Sequence, residues 1–279
     1  MRKINSKQIE YAVYRLALKA GVNLTEPCLK SLENSLKRET SASAKFALET
    51  VLENAETAKE QNMPVCQDTG VAVVLMEIGQ EVFIEGKLLS DAVNDGVVRA
   101  YKEGYFRKST CDPLTRENPG DNSPAFLHTE IVSGDKIQIT FLPKGFGSEN
   151  MSKLYMLTPA DGVEGIIDAI VKTVELAGSR PCPPVFVGVG IGGTFDVAAL
   201  NAKKALTRNP GVFSPREDVK YIEKTALERI NALGIGAQGF GGKITALGVS
   251  CLLAPTHIAG LPVAVNIQCH AVRCEKGEI

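Results

Sequence analysis

The sequence has no long apolar run and almost no excess of either charge. No segment reaches the roughly 18 consecutive apolar residues that a membrane helix needs. The N-terminal segment begins with basic residues but then alternates charged and apolar residues at helical spacing, unlike the continuous apolar stretch of a signal peptide. The 31 lysines and arginines oppose 32 aspartates and glutamates, so no basic surface collects the phosphates of a nucleic acid. We therefore expect a cytoplasmic protein that binds neither membranes nor nucleic acids.

The sequence also lacks any C-x-x-C pair, although it contains seven cysteines. Their odd number and wide separation argue against a disulfide scaffold and against a local zinc knuckle. Cysteines of a cytoplasmic protein stay reduced. Three interpretations remain: buried structural thiols, a nucleophile, or metal ligands that the fold gathers from distant parts of the chain. The cysteines are Cys28, Cys66, Cys111, Cys182, Cys251, Cys269 and Cys274.

The composition of the 279 residues, 44% hydrophobic and 23% charged, is that of an ordinary globular protein. Helical spacing of apolar residues predicts a helical lead-in over residues 1–62. Beyond it, the pattern predicts a buried strand at 71–79, a helix capped by Ser90, a hairpin about Gly134 and Asp135, and then alternating helices and strands. We predict one α/β (mixed α+β) domain over residues 1–279, with a mixed β-sheet core flanked by helices at 63–279.

Three of the cysteines lie in surroundings suited to holding a ligand at a loop. Cys66 lies in PVCQDTG, Cys182 in RPCPP and Cys269 in NIQCH, each beside the end of an apolar run. A set of three cysteines suits an iron–sulfur cluster, because an iron without a protein thiolate is an open Lewis-acid position. The alternative for each is that a buried cysteine acts simply as a small apolar residue.

Longer motifs resemble, over almost the whole chain, the alpha subunit of the iron–sulfur hydro-lyases, the family of class I fumarases and L-tartrate dehydratases. They occur in the order expected for that family. They are PVCQDTG (64–70), FRKST with DPLTRENPGDNSPAFLH (106–128), KGFGSENMS (144–152), CPPVFVGVGIGGT (182–194), LGIGAQGFGGK (233–243) and HIAGLPVAVNIQCHAVR (257–273).

The resemblance implies a [4Fe–4S] cluster held by Cys66, Cys182 and Cys269, with the fourth iron binding a hydroxy acid. The other four cysteines would then be non-ligands, including Cys274, which lies only five residues after Cys269. An open iron that coordinates the substrate hydroxyl makes it a better leaving group.

By the same resemblance, Gln67 and Asp68 line the substrate site, and Asp68 is the candidate for proton transfer. The alternative for Asp68 is a cap on the turn that follows it. Arg107 is expected on a substrate carboxylate, since a planar guanidinium binds carboxylates through two hydrogen bonds.

The resemblance also assigns the loop that contains Gly145 and Gly147, whose N–H groups would face the substrate anion. Phe146 replaces a glycine of the commoner family pattern, and would narrow the site or repack the loop. His257 matches the histidine that the family supplies to the neighbouring protomer, whereas His270 is expected to pack beside the cluster.

Family members in a single chain continue into a second domain, so the end of this chain at Ile279 predicts a beta subunit that completes the active site. Self-association through His257 would give an alpha2-beta2 assembly. We expect malate and fumarate as the small dicarboxylate pair, with L-tartrate dehydratase and mesaconate hydratase as alternatives.

Two other classes of protein compete with the hydro-lyase. A non-catalytic electron carrier or sensor would need a fourth cysteine ligand and would leave Gln67, Asp68 and Arg107 unexplained. A nicotinamide-dependent dehydrogenase would use GVGIGGT (188–194), but its glycine spacing is irregular and no acidic residue follows at the expected position. We interpret those glycines as allowing close packing near the cluster.

Overall fold

The computed structural model describes every residue from Met1 to Ile279 and confirms the α/β class. None of its helices is both long enough and apolar enough to cross a membrane. The helices are α1 (Ser6–Val22), α2 (Glu26–Arg38), α3 (Ala42–Glu60), α4 (Leu89–Glu103), α5 (Phe146–Glu149), α6 (Gly162–Ala177), α7 (Phe195–Ala205) and α8 (Glu217–Ala232). The strands are β1 (Arg2–Asn5), β2 (Val71–Gly79), β3 (Val82–Glu85), β4 (Phe126–Val132), β5 (Ile137–Lys144), β6 (Lys153–Leu157), β7 (Val185–Gly192), β8 (Ala246–Ala254), β9 (Leu261–Gln268) and β10 (Glu275–Glu278).

Contacts within the chain divide it into two compact units. The first unit comprises Met1–Thr25, Asn54–Gly145 and Arg273–Ile279, and the second comprises Glu26–Glu53 and Phe146–Val272. The boundary near residue 53 falls inside helix α3. The lead-in is helical up to Glu60 except for the short strand β1. The single domain over residues 1–279 stays a prediction.

The first unit is built on a mixed sheet in the order β10, β5, β2, β4, beside a parallel pair of β1 and β3. Helices α1 and α4 bury their apolar faces against this sheet, with Ile9, Val13 and Val97 fully buried. Strand β2 spans the predicted residues 71–79. Its sequence is almost continuously apolar because it is an interior strand, with a neighbour on each side as β5 also has, and most of its residues are buried.

The predicted hairpin about Gly134 is wrong. Strands β4 and β5 do not pair with each other, because β2 lies between them, parallel to β4 and antiparallel to β5. The turn signal and both strands are present, but a local pattern does not show that a third strand separates them. The prediction that Ser90 caps a helix is also wrong. That helix, α4, begins at Leu89, and its N-cap residue, Leu88, makes no side-chain hydrogen bond.

The second unit is built on a mixed sheet in the order β6, β9, β7, β8. All eight residues of β7 are buried, and they alternate in size. Val187 and Val189 belong to the apolar cluster formed with α6 and α8. Gly188 and Gly190 point the other way, where an added Cβ would lie 2.3 Å from the Ala202 carbonyl oxygen and 2.0 Å from that of Ala198.

The glycines of GVGIGGT therefore let the backbone of helix α7 approach strand β7 directly. This confirms close packing at Gly188 and Gly190, whereas their nearness to a cluster stays a prediction. The contact involves two main chains, so no side-chain rearrangement can make room for a methyl group.

We predict that Gly190→Ala destabilises the protein by about 1–3 kcal/mol, because the added methyl group overlaps the main chain of α7. Denaturant unfolding measures the loss. The control is Gly260→Ala, where an added Cβ would meet nothing within 4 Å and stability should not change. Equal stability of the two variants would contradict the packing role.

Candidate functional site

In the first unit, the segment after Cys66 forms a tight turn that carries Asp68. The N–H of Gly70 donates to Asp68 Oδ1 at 3.0 Å, so Asp68 does cap its own turn. The other carboxylate oxygen, Oδ2, lies 3.0 Å from where a Cβ on Gly145 would be. Two residues expected at the substrate site, Asp68 and Gly145, are therefore in contact.

Two neighbouring side chains hold this turn through hydrogen bonds to its carbonyl oxygens. The hydroxyl of Tyr101 donates to the carbonyl oxygens of Gly70 at 2.9 Å and Thr69 at 3.2 Å, and the amide of Asn122 donates to Gly70 at 3.3 Å. Burial raises the pKa of Tyr101 well above its ordinary value, so its hydroxyl keeps the proton that it donates. Gly70 has a φ of +80°, and an added Cβ would lie 2.7 Å from the main chain of Lys144.

Arg107 is connected to the same turn through its main chain. Thr69 Oγ1 donates to the Arg107 carbonyl oxygen at 2.9 Å. The following segment is fixed by Asn122 Oδ1, which accepts from the N–H groups of Ser109 at 2.6 Å and Thr110 at 3.2 Å. The Arg107 side chain is exposed, so its guanidinium is accessible to an anion while its backbone is held in place.

Cys66 and Gln67 are exposed on this loop. The main chain just before them is fixed at Val65, whose N–H donates to Gly21 at 3.0 Å and whose carbonyl oxygen accepts from Asn54 Nδ2 at 2.9 Å. An accessible thiol thus follows an anchored main chain, which is the arrangement that a preorganised ligand requires.

Sequence reasoning missed Arg273 as part of this region. Its side chain is 1% exposed, and Nη2 donates to the Asp68 carbonyl oxygen at 3.0 Å. Arginines are rarely buried completely, so nothing in the sequence marks this one out. It was visible only as the last residue of the family motif that ends at position 273.

In the second unit, the loops of Cys182 and Cys269 lie together. The N–H of His270 donates to the Cys182 carbonyl oxygen at 3.2 Å, and its ring Nδ1 lies 3.0 Å from the same oxygen. Cys182 is exposed and has a φ of +55°, a conformation that L-residues seldom adopt outside functional sites. Cys269 is partly exposed. His270 therefore contacts the Cys182 loop, and its packing beside a cluster stays a prediction.

The segment 233–243 supports the Cys182 loop. Gln238 donates to the Pro183 carbonyl oxygen twice, from its N–H at 2.7 Å and from its side-chain amide at 2.9 Å. Gln238 also has a positive φ, of +52°. This motif carries part of the resemblance, but the sequence alone gives it no role. The structure shows that it supports a cysteine loop through these hydrogen bonds.

His257 lies on an exposed turn between β8 and β9. Its ring Nδ1 accepts from the Ala259 N–H at 3.1 Å, so the neutral ring carries its proton on Nε2. The adjacent Ile258 is 91% exposed. The role of His257 in a neighbouring protomer stays a prediction.

The boundary between the two units falls within the loop that contains Gly145 and Gly147. Gly145 is buried at the end of the first unit, whereas Gly147 is exposed in the second. Phe146 begins the single turn of helix α5 and is 44% exposed. The orientation of the loop N–H groups toward a substrate anion stays a prediction.

The seven cysteines fall into three classes of exposure, of which Cys66 and Cys182 are exposed and Cys111, Cys269 and Cys274 are intermediate. Cys28 and Cys251 are buried, and burial raises the pKa of Cys28 to about 12 and shifts that of Cys251 further in the same direction. Burial likewise raises the pKa of Cys274 to about 11. Metal ligation requires thiolates. Exposure therefore leaves Cys66, Cys182, Cys269 and Cys111 able to hold a metal, and the choice of the first three rests on the resemblance. Neither unit by itself gathers three metal-binding side chains.

Comparison with known proteins identifies related sequences over almost the whole chain. The sequence model of the family described as Fumarate hydratase (Fumerase) matches residues 10–278. A Methanocaldococcus jannaschii protein named "Putative L(+)-tartrate dehydratase subunit alpha" is 44% identical over 273 residues, which are 95% of this chain and 95% of that protein.

More distant relatives carry both enzyme names. The Escherichia coli K12 protein named "L(+)-tartrate dehydratase subunit alpha" is 30% identical, over 88% of this chain and 81% of its own length. A Geobacillus stearothermophilus protein named "Putative fumarate hydratase class I" is 30% identical, over 94% of this chain but only 53% of its own length.

We predict that an alkylating reagent modifies Cys66 and Cys182 before Cys28 and Cys251 in the metal-free chain at pH 8. A thiol with a pKa of about 12 is ionised to only about one part in 10⁴ at this pH, and burial also blocks the reagent. Peptide mass spectrometry after short exposures gives the order, with the urea-unfolded chain as the control in which all sites react alike. Early labelling of Cys28 would contradict the assignment.

Proposed function

Because the chain belongs to the fumarate hydratase (fumerase) family and is therefore a hydro-lyase, we propose that it is the alpha subunit of a two-subunit enzyme that interconverts (S)-malate and fumarate. One observation supports this proposal above the others. The turn of Asp68 touches Gly145 and holds the main chain of Arg107, so a carboxylate and an exposed cation occur on one fixed framework.

We assign a [4Fe–4S] cluster to Cys66, Cys182 and Cys269. The residues fit this group, because their thiols are accessible whereas Cys28 and Cys251 are buried with raised pKa values. When bound through only three thiolates, such a cluster supplies an open iron that acts as a Lewis acid on the substrate hydroxyl.

The residues of this chain then bind and orient the substrate and move its proton. Dehydration of malate removes a proton from the carbon beside one carboxylate, while hydroxide leaves the neighbouring carbon. Arg107 binds a substrate carboxylate through its planar guanidinium. Gln67, which precedes Asp68 in the sequence, offers the substrate a neutral hydrogen-bonding group. Asp68 takes up the proton on its carboxylate, which the N–H of Gly70 helps to orient.

The N–H groups of Gly145 and Gly147 complete this proposal by stabilising the negative charge that develops as the proton leaves. That charge resembles an enolate on the substrate carboxylate. Backbone donors are suited to the task because they are fixed before the reaction begins and need no reorganisation.

A beta subunit completes the enzyme in this proposal. The relatives from Methanocaldococcus jannaschii and Escherichia coli are each named as a subunit alpha, which supports a partner of this kind. The exposed turn of His257 and Ile258 suits contact with a neighbouring protomer, and we infer an alpha2-beta2 assembly in which His257 serves the adjacent active site.

Phe146 favours malate over tartrate as the substrate. L-tartrate carries a second hydroxyl, and the exposed phenyl ring of Phe146 offers that hydroxyl no hydrogen-bond partner. Dehydration of L-tartrate is the second candidate function, because two of the relatives bear that name. A single hydroxyl is discriminated by few contacts, so the substrate must be measured directly.

The proposal predicts turnover of (S)-malate without nicotinamide or an electron acceptor. The chain is co-expressed with its beta subunit, the cluster is reconstituted anaerobically, and the ultraviolet absorbance of fumarate is followed; oxaloacetate is assayed when L-tartrate is added. We expect kcat/KM for malate to exceed that for tartrate by about tenfold or more. The reverse order would establish the second candidate, and no turnover of either acid by a sample with an intact cluster would refute both.

The ligand assignment predicts that Cys66→Ala, Cys182→Ala and Cys269→Ala each abolish the brown chromophore and the activity. Cys274→Ala is the matched control, because it removes a thiol five residues from Cys269 and should retain both properties. Iron and sulfide content, visible absorbance and turnover are measured on the same anaerobic samples. A normal cluster in Cys182→Ala would show that the assignment is wrong.

A further inference from the structure

Arg273 is an unusual side chain for the interior of a protein. It is among the largest fully buried side chains, at 1% exposed, and its guanidinium makes a single hydrogen bond, from Nη2 to the Asp68 carbonyl oxygen at 3.0 Å. Its buried Nε and Nη1 have no hydrogen-bond partner. A buried charge whose donors lack hydrogen-bond partners opposes folding, so stability alone does not explain this arginine.

The guanidinium lies beside two residues that the proposed function uses. Nη2 contacts the main chain of Asp68 and lies 3.8 Å from where a Cβ on Gly145 would be. That same Cβ position is 3.0 Å from Asp68 Oδ2. The cation therefore borders the main chain of the residue proposed to take the proton and the glycine proposed to bind the substrate anion.

A neutral side chain could fill the same space. Methionine is nearly as long, has no donor to leave unpaired, and adapts readily to irregular gaps. Methionine would lose the hydrogen bond to the Asp68 carbonyl oxygen and the electrostatic interaction of the guanidinium with Tyr101. Tyr101 and Asn122 hold the carbonyl groups of Thr69 and Gly70, so Arg273 is the group that fixes the first residue of this turn.

We propose that Arg273 is a positioning residue that holds the main chain of Asp68, so that its carboxylate is presented in one orientation next to Gly145. This inference rests on the proposed function for the role of Asp68. Arg273 itself touches no substrate, because its side chain is buried. It acts through the turn. Its buried charge lowers the stability of the fold, and the precise geometry that it gives to the reaction offsets this loss.

The test compares Arg273→Met, Arg273→Lys and the wild type in the enzyme assembled with its beta subunit. Arg273→Met should lower kcat for the accepted substrate by on the order of 10- to 100-fold, change KM by less than about twofold, and leave the thermal midpoint unchanged or higher. Arg273→Lys, which retains a donor and a charge, should recover part of kcat.

Hydrogen exchange supplies a readout that does not depend on turnover. In Arg273→Met, amide exchange should accelerate in the peptide that covers residues 67–70 and nowhere else in the first unit. The control is Ile9→Ala in helix α1, a fully buried residue remote from the turn in the sequence. It should lower the thermal midpoint and leave kcat at 25 °C unchanged.

Wild-type kcat and wild-type exchange in Arg273→Met would overturn the proposal, because the arginine would then only fill space. A loss of kcat accompanied by a lower thermal midpoint and by faster exchange throughout the first unit would also overturn it. If the wild-type enzyme turns over neither malate nor tartrate, the proposed function fails, and the exchange data still decide whether Arg273 holds the turn.

Discussion

The close approach of Gly70 to the main chain of Lys144 is the constraint on which the first unit's functional residues depend. With a φ of +80° and only 2.7 Å between an added Cβ and the Lys144 backbone, this position accepts no side chain. Lys144 is the last residue of β5 and pairs with Val71, the first residue of β2. The turn before β2 is thereby pressed against the end of its neighbouring strand.

Because the turn is pressed against β5, its carbonyl groups face the interior and need donors there. Tyr101, Asn122 and Arg273 supply them, and Thr69 returns a hydrogen bond to the main chain of Arg107. Burying these polar groups costs little only while each carbonyl is paired. One backbone contact therefore links the positions of Asp68, Arg107 and Gly145, which are far apart in the sequence.

Much of the fold could be predicted from the sequence, because its signals are local. The apolar run of β2 and the alternating valines and glycines of β7 each identify a strand and its buried faces. The prediction of a hairpin about Gly134 was wrong because it, too, relied on local pattern alone. Local pattern identifies strands, whereas pairing depends on the free energy of the whole sheet, in which the apolar strand β2 takes an interior position between β4 and β5.

The residues of the candidate site were proposed from sequence motifs, whereas the side chains that hold those residues in place could not be predicted. The two interpretations of Asp68, a cap and a reactive carboxylate, looked exclusive in the sequence, yet one oxygen accepts from Gly70 while the other faces Gly145. Neither Tyr101 nor Arg273 could be identified, because their burial is a property of the tertiary structure. Exposure likewise distinguishes Cys66 from Cys28, although each is a single cysteine with no other cysteine close to it in the sequence.

Cys182 shows why a site residue can be strained and still be well placed. A φ of +55° costs a residue other than glycine about 1–3 kcal/mol. Glycine would relieve this strain but would remove the thiol. The strain is opposed by hydrogen bonds from His270 to the Cys182 carbonyl oxygen and from Gln238 to that of Pro183, each contributing about 1 kcal/mol. These contacts are sufficient to hold the backbone in the conformation that exposes the thiol, so the long motifs around positions 238 and 270 determine the geometry of a cysteine far from them in the sequence.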